Sequence, residues 1–325
     1  MIEFERYGFV KLTSDVFSSF IQYYNKMKTP LPSSLHFTSI NAWSHTVVTY
    51  YKPIGEHLVC FQWDAPEKRW VLIPFLGVYE QEKINAVMKE VLLLYEQWHI
   101  PLVLTDVAEW MRPFYEAIPF FNWEVTCDRD LSDYVYTAED FCASLNEQKV
   151  RYDYRYFIRK YNPVLEIMRP EYAAECAAFI HENWCIEHNC EECVYGCTVV
   201  TEETAVACVD KTGANGIVVR IDGKMIAFCI VNACCGQGVF QFKKTQRGFR
   251  GINEYLHKEC YDRFLSGVNQ INYTEDMGQE GLRKYKCKLA PYTLYPRYEM
   301  RKIEEAGEEK NETKSSGITD DNSGI

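Results

Sequence analysis

Residues 215–242 read NGIVVRIDGKMIAFCIVNACCGQGVFQF. Asn215–Arg220 alternates as a half-buried strand does, and Asp222-Gly223 is a two-residue turn pair that reverses the chain. Lys224–Asn232 is the returning strand, and Gly236–Gly238 turns the chain into a third, Val239–Phe242. Beyond it, residues 251–266 place Ile252, Tyr255, Leu256, Cys260 and Phe264 on one helical face. Gln270–Tyr273 then reads as a strand, Glu280–Lys288 as a short helix and Tyr292–Met300 as a closing strand.

The first half repeats this order. His57–Trp63 and Arg69–Leu76 pair across the turn Ala65-Pro66-Glu67-Lys68, and Gln81–Trp98 is a helix. Pro101–Thr105 is a strand, Val107–Ala117 a helix, and Trp123–Cys127 a strand leading to Asp133–Tyr136. Two such runs imply one α+β unit over 1–140 and a second over 141–302, each with a mixed, mostly antiparallel sheet. The order resembles the GNAT acyltransferase fold, in which antiparallel strands precede a βαβ crossover. Two unrelated α+β domains sharing a common run of elements is the competing reading.

A length of 325 residues suits two domains. The net charge of −11 argues against a duplex-DNA binder, because phosphate neutralisation needs a basic face, but leaves room for a local basic patch. The start MIEFERYGFVKL lacks a basic region followed by an apolar run, and no apolar stretch approaches the ~20 residues of a membrane span. The expected compartment is therefore the cytoplasm, with the 14 cysteines as thiols or metal ligands rather than disulfides. The segment 303–325 is acidic, without aromatics and rich in Gly, Ser and Asn, a composition that predicts a disordered tail.

Residues 271–291, INYTEDMGQEGLRKYKCKLAP, hold a dense polar cluster. Glu275 and Asp276 follow a strand and precede a helix, a usual place for a site. Gly278 and Gly281 permit a tight turn and close approach of a ligand. Asp276 is a candidate to orient an acceptor amine or act as base, and Lys284 and Lys286 to hold phosphate or carboxylate. The competing reading makes the carboxylates helix caps and the lysines a solvated face. Upstream, Arg247 and Arg250 flank the glycine turn before the helix at Gly251, where they can pair with phosphates beside helix-start amides. The acetyl-CoA loop spacing fails there, since three residues back from Gly251 is Gly248 and Asn253 replaces the small final residue. Acetyl-CoA is therefore disfavoured against another phosphate-bearing donor.

The segment 271–291 resembles the family of the phosphatidylglycerol lysyltransferase C-terminal domain, with Asn272, Glu275, Asp276, Gly278, Gly281, Leu282, Arg283, Lys284, Lys286 and Pro291 at matching positions. Lys243, Gly251, Ile252, Asn253 and Glu254 match a second stretch, and Asp15, Phe37, Thr38 and Trp43 match near the N-terminus. The resemblance implies a tandem GNAT architecture like that of Fem-type aminoacyltransferases, which move an aminoacyl group from a charged tRNA to an amine or hydroxyl. The candidate catalytic set is Asp276, Glu275 and Asn253. Donor contacts would come from Arg247, Arg250, Gly251, Asn272, Gly278, Gly281, Arg283, Lys284 and Lys286. Two departures matter. The membrane region of the lipid-modifying relatives is not seen, which disfavours a lipid acceptor against a small molecule or peptide. The basic helix QKVRYDYRYFIRKYNP keeps Lys149, Arg151, Arg155, Arg159 and Lys160 but is interrupted by Tyr152, Asp153 and Tyr154. A ligand-binding protein that keeps the tandem fold without turnover is the rival to the enzyme.

Finally, HENWCIEHNCEECVYGC places Cys185, Cys190, Cys193 and Cys197 within one short stretch. Thiolates at this spacing suit Zn²⁺ or an Fe–S cluster. A second CxxC at zinc-ribbon distance is missing, so a reduced Cys-rich loop stays open as the alternative.

Overall fold

The computed structural model describes residues 2–185 and 197–303. Its strands form two mixed sheets. The first contains β1 (Val10–Lys11), β2 (Thr49–Ile54), β3 (His57–Asp64), β4 (Arg69–Leu72), β5 (Leu76–Gly77), β6 (Val103–Ala108), β7 (Trp123–Cys127) and the last strand of the chain, β15 (Arg297–Lys302). The second contains β8 (Asp133–Thr137), β9 (Val164–Ile167), β10 (Ala214–Ile221), β11 (Lys224–Cys234), β12 (Gln237–Thr245), β13 (Gln270–Asn272) and β14 (Thr293–Tyr295).

Helices α1 (Phe17–Tyr24), α2 (Phe37–Ala42), α3 (Gln81–Trp98) and α4 (Arg112–Glu116) accompany the first sheet. Helices α5 (Ala138–Leu145), α6 (Gln148–Tyr161), α7 (Ala173–Ile180), α8 (Thr198–Ala207), α9 (Ile252–Cys260) and α10 (Glu280–Lys286) accompany the second. Opposite faces of the second sheet bury separate cores. Ile217, Val219, Cys229 and Phe240 pack with Leu256 and Cys260 of α9, while Val218, Phe228 and Ile230 pack with Ile180 of α7 and Val206 of α8. Burial on both faces explains why β11 is apolar without alternation.

Several elements differ from the sequence reading. Arg69–Leu76, expected as one strand, divides into β4 and β5, both paired with β3. The expected helix over Val107–Ala117 begins only at Arg112, because Val103 to Ala108 continue as buried strand and Pro113 fits the first helical turn. The single closing strand expected over Tyr292–Met300 divides at Pro296 between the sheets. Thr293–Tyr295 pairs with β8, and Arg297–Lys302 inserts between β6 and β7. A proline supplies no ladder N–H, which suits the crossover point. In exchange, β8 leaves the first half to sit between β14 and β13. Each sheet is thus completed by a strand from the other half of the chain.

The feature that positions the site is a parting of strands. β12 and β13 pair in parallel only from Gln237–Val239 to Gln270–Asn272, after which β12 runs on to Thr245 while β13 ends. Where they part, Ile230 faces Phe242 and Val231 faces Phe240, so Gln241 is an extra, bulged residue on β12.

Candidate active site

In the wedge between the parting strands stands Lys243. Its ammonium donates to Asn253 Oδ1 at 2.9 Å and to the Tyr285 hydroxyl at 2.9 Å, and lies 3.3 Å from His257 Nε2. It also sits over the Tyr285 and Tyr273 rings, 4.7 and 5.3 Å from their centroids. His257 Nε2 is 2.5 Å from the Tyr273 hydroxyl and 3.2 Å from that of Tyr285. Burial, reinforced by the Lys243 charge, holds the imidazole well below its usual pKa, so His257 is neutral and relays hydrogen bonds rather than storing a proton. Five residues from β12, α9, the end of β13 and α10 converge here. The strand that carries Lys243 is mixed in character, so its pattern gave no signal for this group. Lys243 and Asn253 stood among the sequence matches, whereas His257, Tyr273 and Tyr285 carried no motif.

Beneath this group, Lys286 is almost fully buried and donates to the carbonyls of Tyr273 and Glu275 and to Thr274 Oγ1. Burial pushes its ammonium down to about 8. The loop it holds is bent, with Thr274 and Met277 at φ of +57° and +51°. Asn272 is buried and donates to Asp133, whose carboxylate also takes the backbone N–H and hydroxyl of Ser33. The wedge is therefore tied to the first half of the chain.

Asp276 lies in the expected loop between β13 and α10, but its carboxylate is fully taken up by partners. Its carboxylate has no exposed surface and accepts from Arg129, Tyr134, Arg283 and the Gly278 N–H. Burial alone would raise its pKa, but the hydrogen bonds from Arg283, Tyr134 and Arg129 outweigh it and hold the group far below the carboxylate range. A carboxylate so saturated takes up no proton near neutral pH, so the geometry makes it an anchor rather than a base. Neither carboxylate caps α10, whose N-cap is Gln279. Glu275 instead faces Arg297 of β15 at 3.4 Å.

The remaining candidates spread out. Arg250 pairs with Asp153 of α6 and lies over the Tyr152 and Tyr156 rings. Gly251, at φ +89°, lets α6 approach: a Cβ there would stand 2.2 Å from the Asp153 carbonyl oxygen. Its requirement is helix packing. Gly278, at φ +72°, closes the turn beside Asp130, whereas Gly281 has open space around it. Lys284 is exposed and pairs with Glu280 one turn back, and Arg247 is exposed between β12 and α9. Arg283 bridges Asp276 and Asp130. On α6, Lys149, Arg151, Arg155, Arg159 and Lys160 all face solvent while Asp153 and Phe157 are buried, so of the three residues that interrupt the basic run Asp153 points inward and Tyr152 outward.

Of the proposed metal ligands, Cys190 and Cys193 lie outside the described residues. Cys185 and Cys197 are described, and among the described residues no group of three or more His, Cys, Asp or Glu side chains gathers around a common point. No helix of the described residues is long and apolar enough to cross a membrane.

The family model described as phosphatidylglycerol lysyltransferase, C-terminal, matches residues 29–301. Among solved structures, a conserved protein of unknown function from Bacteroides thetaiotaomicron is similar at 23% identity and a TM-score of 0.77, over 91% of this chain and 99% of that one. The C-terminal domain of a putative lysylphosphatidylglycerol synthetase from Agrobacterium fabrum superposes with a TM-score of 0.61 at 10% identity, over 88% and 92%. FemX does so with 0.62 at 9% identity, over 89% and 96%. At these identities the likeness shows the fold alone, the two-sheet α+β architecture that this chain shares with them. None of the curated proteins matches the chain.

Proposed function

The chain belongs to the family of the phosphatidylglycerol lysyltransferase C-terminal domain, and from that premise we propose that it is an acyltransferase of the aminoacyl type. The donor is a charged tRNA and the acceptor a small or peptidyl amine. The observation that carries this reading is the lysine-centred group in the wedge between β12 and β13, which concentrates positive charge and hydroxyl donors. The exposed cations of α6 support it. In a chain of net charge −11, they form a basic face on the helix packed against α9, and the nearly parallel Tyr152 and Tyr156 rings offer base-stacking surface beside it.

In this reaction the acceptor nitrogen attacks the carbonyl carbon of the aminoacyl ester. A C–N bond forms, the C–O bond to the ribose breaks, and the proton lost by nitrogen balances the one gained by the departing ribose oxygen. Catalysis is by positioning and by charge. Tyr285, its hydroxyl polarised by Lys243, is the donor for the developing oxyanion or the leaving oxygen. Asn253 and His257 fix the Lys243 ammonium, and Asp276 with its arginines holds the loop that carries the Tyr273 and Glu275 carbonyls. Arg250, locked to Asp153, orients the donor-binding helix.

The test is mass spectrometry of small amines and peptides incubated with the protein and a mixture of aminoacyl-tRNAs, with acyl-CoA donors in parallel. Gain of an aminoacyl group on an acceptor is the expected result. Transfer from acyl-CoA alone would replace the donor. Absence of transfer together with tight binding of an unaltered metabolite would instead support a ligand-binding protein that keeps the tandem fold.

A further inference from the structure

The β11–β12 hairpin closes on Cys234 and Cys235, whose sulfur atoms lie 3.2 Å apart. Neighbouring side chains on a strand point to opposite faces, so two adjacent sulfurs within contact distance require a local reversal. The turn supplies it: Cys235 and Gly236 take φ of +53° and +74°, and Cys234 faces Gln237 across the hairpin. Positive φ at both central residues of a two-residue loop favours Asn-Gly or Asp-Gly. A cysteine in the first of these places adopts a left-handed conformation that L-residues other than Asn and Asp rarely take.

Both thiols are half-buried, and they are flanked by the exposed Ala233 and Gly236. They reach out of the second sheet onto the core of the first half, where the Cys235 thiol donates to the Tyr24 carbonyl at the end of α1. The hydrogen bond they share lowers the pKa of Cys235 and raises that of Cys234. One thiol is thereby poised as attacking thiolate with its partner in reach. Cys60, nearby in the same core, is fully buried, and burial pushes its thiol far up, leaving it inert.

We propose that Cys234 and Cys235 form a reversible redox modification site that reacts with low-molecular-weight disulfides such as oxidised glutathione. The Cys235 thiolate attacks the disulfide and releases one glutathione thiolate. Cys234 then displaces the second, closing a vicinal disulfide. The protein gives up two hydrogens, and one glutathione disulfide becomes two glutathione thiols. Adjacent Cα atoms are about 3.8 Å apart, below the usual span across a disulfide, so the bond is strained and readily reduced. That is the property of a labile modification rather than a structural cross-link. Oxidation removes the thiol proton that Cys235 gives to Tyr24, and so loosens the contact between the hairpin and α1.

The experiment is tandem mass spectrometry of the full chain after incubation with oxidised glutathione at pH 7.5, with free thiols alkylated. A loss of two hydrogens confined to the peptide carrying Cys234 and Cys235, restored by dithiothreitol, is expected. Cys235→Asn suits the turn, should fold at least as well as the wild type, and should abolish that loss. Stable mixed disulfides with glutathione on either cysteine, alkylation of both thiols after oxidant, or a two-hydrogen loss that persists in Cys235→Asn would each overturn the proposal.

Discussion

The carbonyl oxygen of Asp153 lies where a side chain on Gly251 would have to go, since a Cβ on that glycine would stand only 2.2 Å away. The contact fixes how closely α6, with its basic face, packs on the start of α9. Gly251→Ala should therefore destabilise the protein by about 1–3 kcal/mol for overpacking, plus roughly 1 kcal/mol for the left-handed backbone. Gly248, at φ +93° with nothing within 4 Å, separates the two effects. Urea unfolding should show a larger loss for Gly251→Ala than for Gly248→Ala. Equal losses would mean that the close approach of Asp153 contributes nothing.

Asp276 should matter for stability more than for proton transfer. Asp276→Ala removes one carboxylate partner from Arg129 and from Arg283, which keep Tyr134 and Asp130 respectively. Both guanidinium groups are more than a third exposed and can rehydrate, so the loss should fall near the lower end of the range for a broken buried pair, about 3 kcal/mol. The pH dependence has a definite sign. The folded state holds this carboxylate below its ordinary 3.8, so its contribution is complete above that pH and is lost as the pH falls further. Asp276→Asn should be less stable than the wild type at pH 7, with a gap that narrows below about pH 4. A constant gap in denaturation experiments down to pH 2 would contradict the ionised anchor.

Lys243→Met should lower the rate of aminoacyl transfer by about 10²–10³-fold, the usual cost of losing a charge-stabilising donor, with little change in donor KM. Reversing charge on α6, as in Arg155→Glu with Arg159→Glu, should do the opposite, raising donor KM and flattening its salt dependence. A readout independent of activity is the imidazole of His257, which the Lys243 charge helps to keep neutral. In Lys243→Met its NMR titration should move upward. No movement would separate the two residues electrostatically.

Lys286 should titrate near pH 8 instead of near 10.5. Below pH 8 the folded and unfolded chains both carry the proton, and the lowered pKa corresponds to a net cost of roughly 3 kcal/mol for holding the buried charge. Between pH 8 and 10.5 only the unfolded chain is protonated, so this group makes stability rise with pH. The stability of the wild type relative to Lys286→Met should accordingly improve across that window. A difference independent of pH would show that the hydrogen bonds to Tyr273 and Glu275 keep the ammonium charged.

The parts of the site that were legible before the structure are those with local causes. Gly278 and Gly251 mark turns because a positive φ is a property of a few consecutive residues. Lys243, Asn253 and Lys286 were marked by the resemblance of their stretches to the family. Glu275 and Asp276 marked the right loop. Their chemistry was not legible, because Arg129 and Tyr134, which saturate Asp276, lie more than 140 positions away in sequence.

The sequence by itself determined the two α+β units, the α9 helix and the loop around Asp276, since periodicity and turn residues act over a few positions. Tertiary structure alone decided the exchange of β8 and β15 between the sheets and the inward turn of Asp153. It also decided the gathering of Lys243, His257, Tyr273 and Tyr285 where β12 and β13 part. The physical reason is that pairing partners and buried charges are chosen by which distant surfaces meet, and no local pattern encodes that choice.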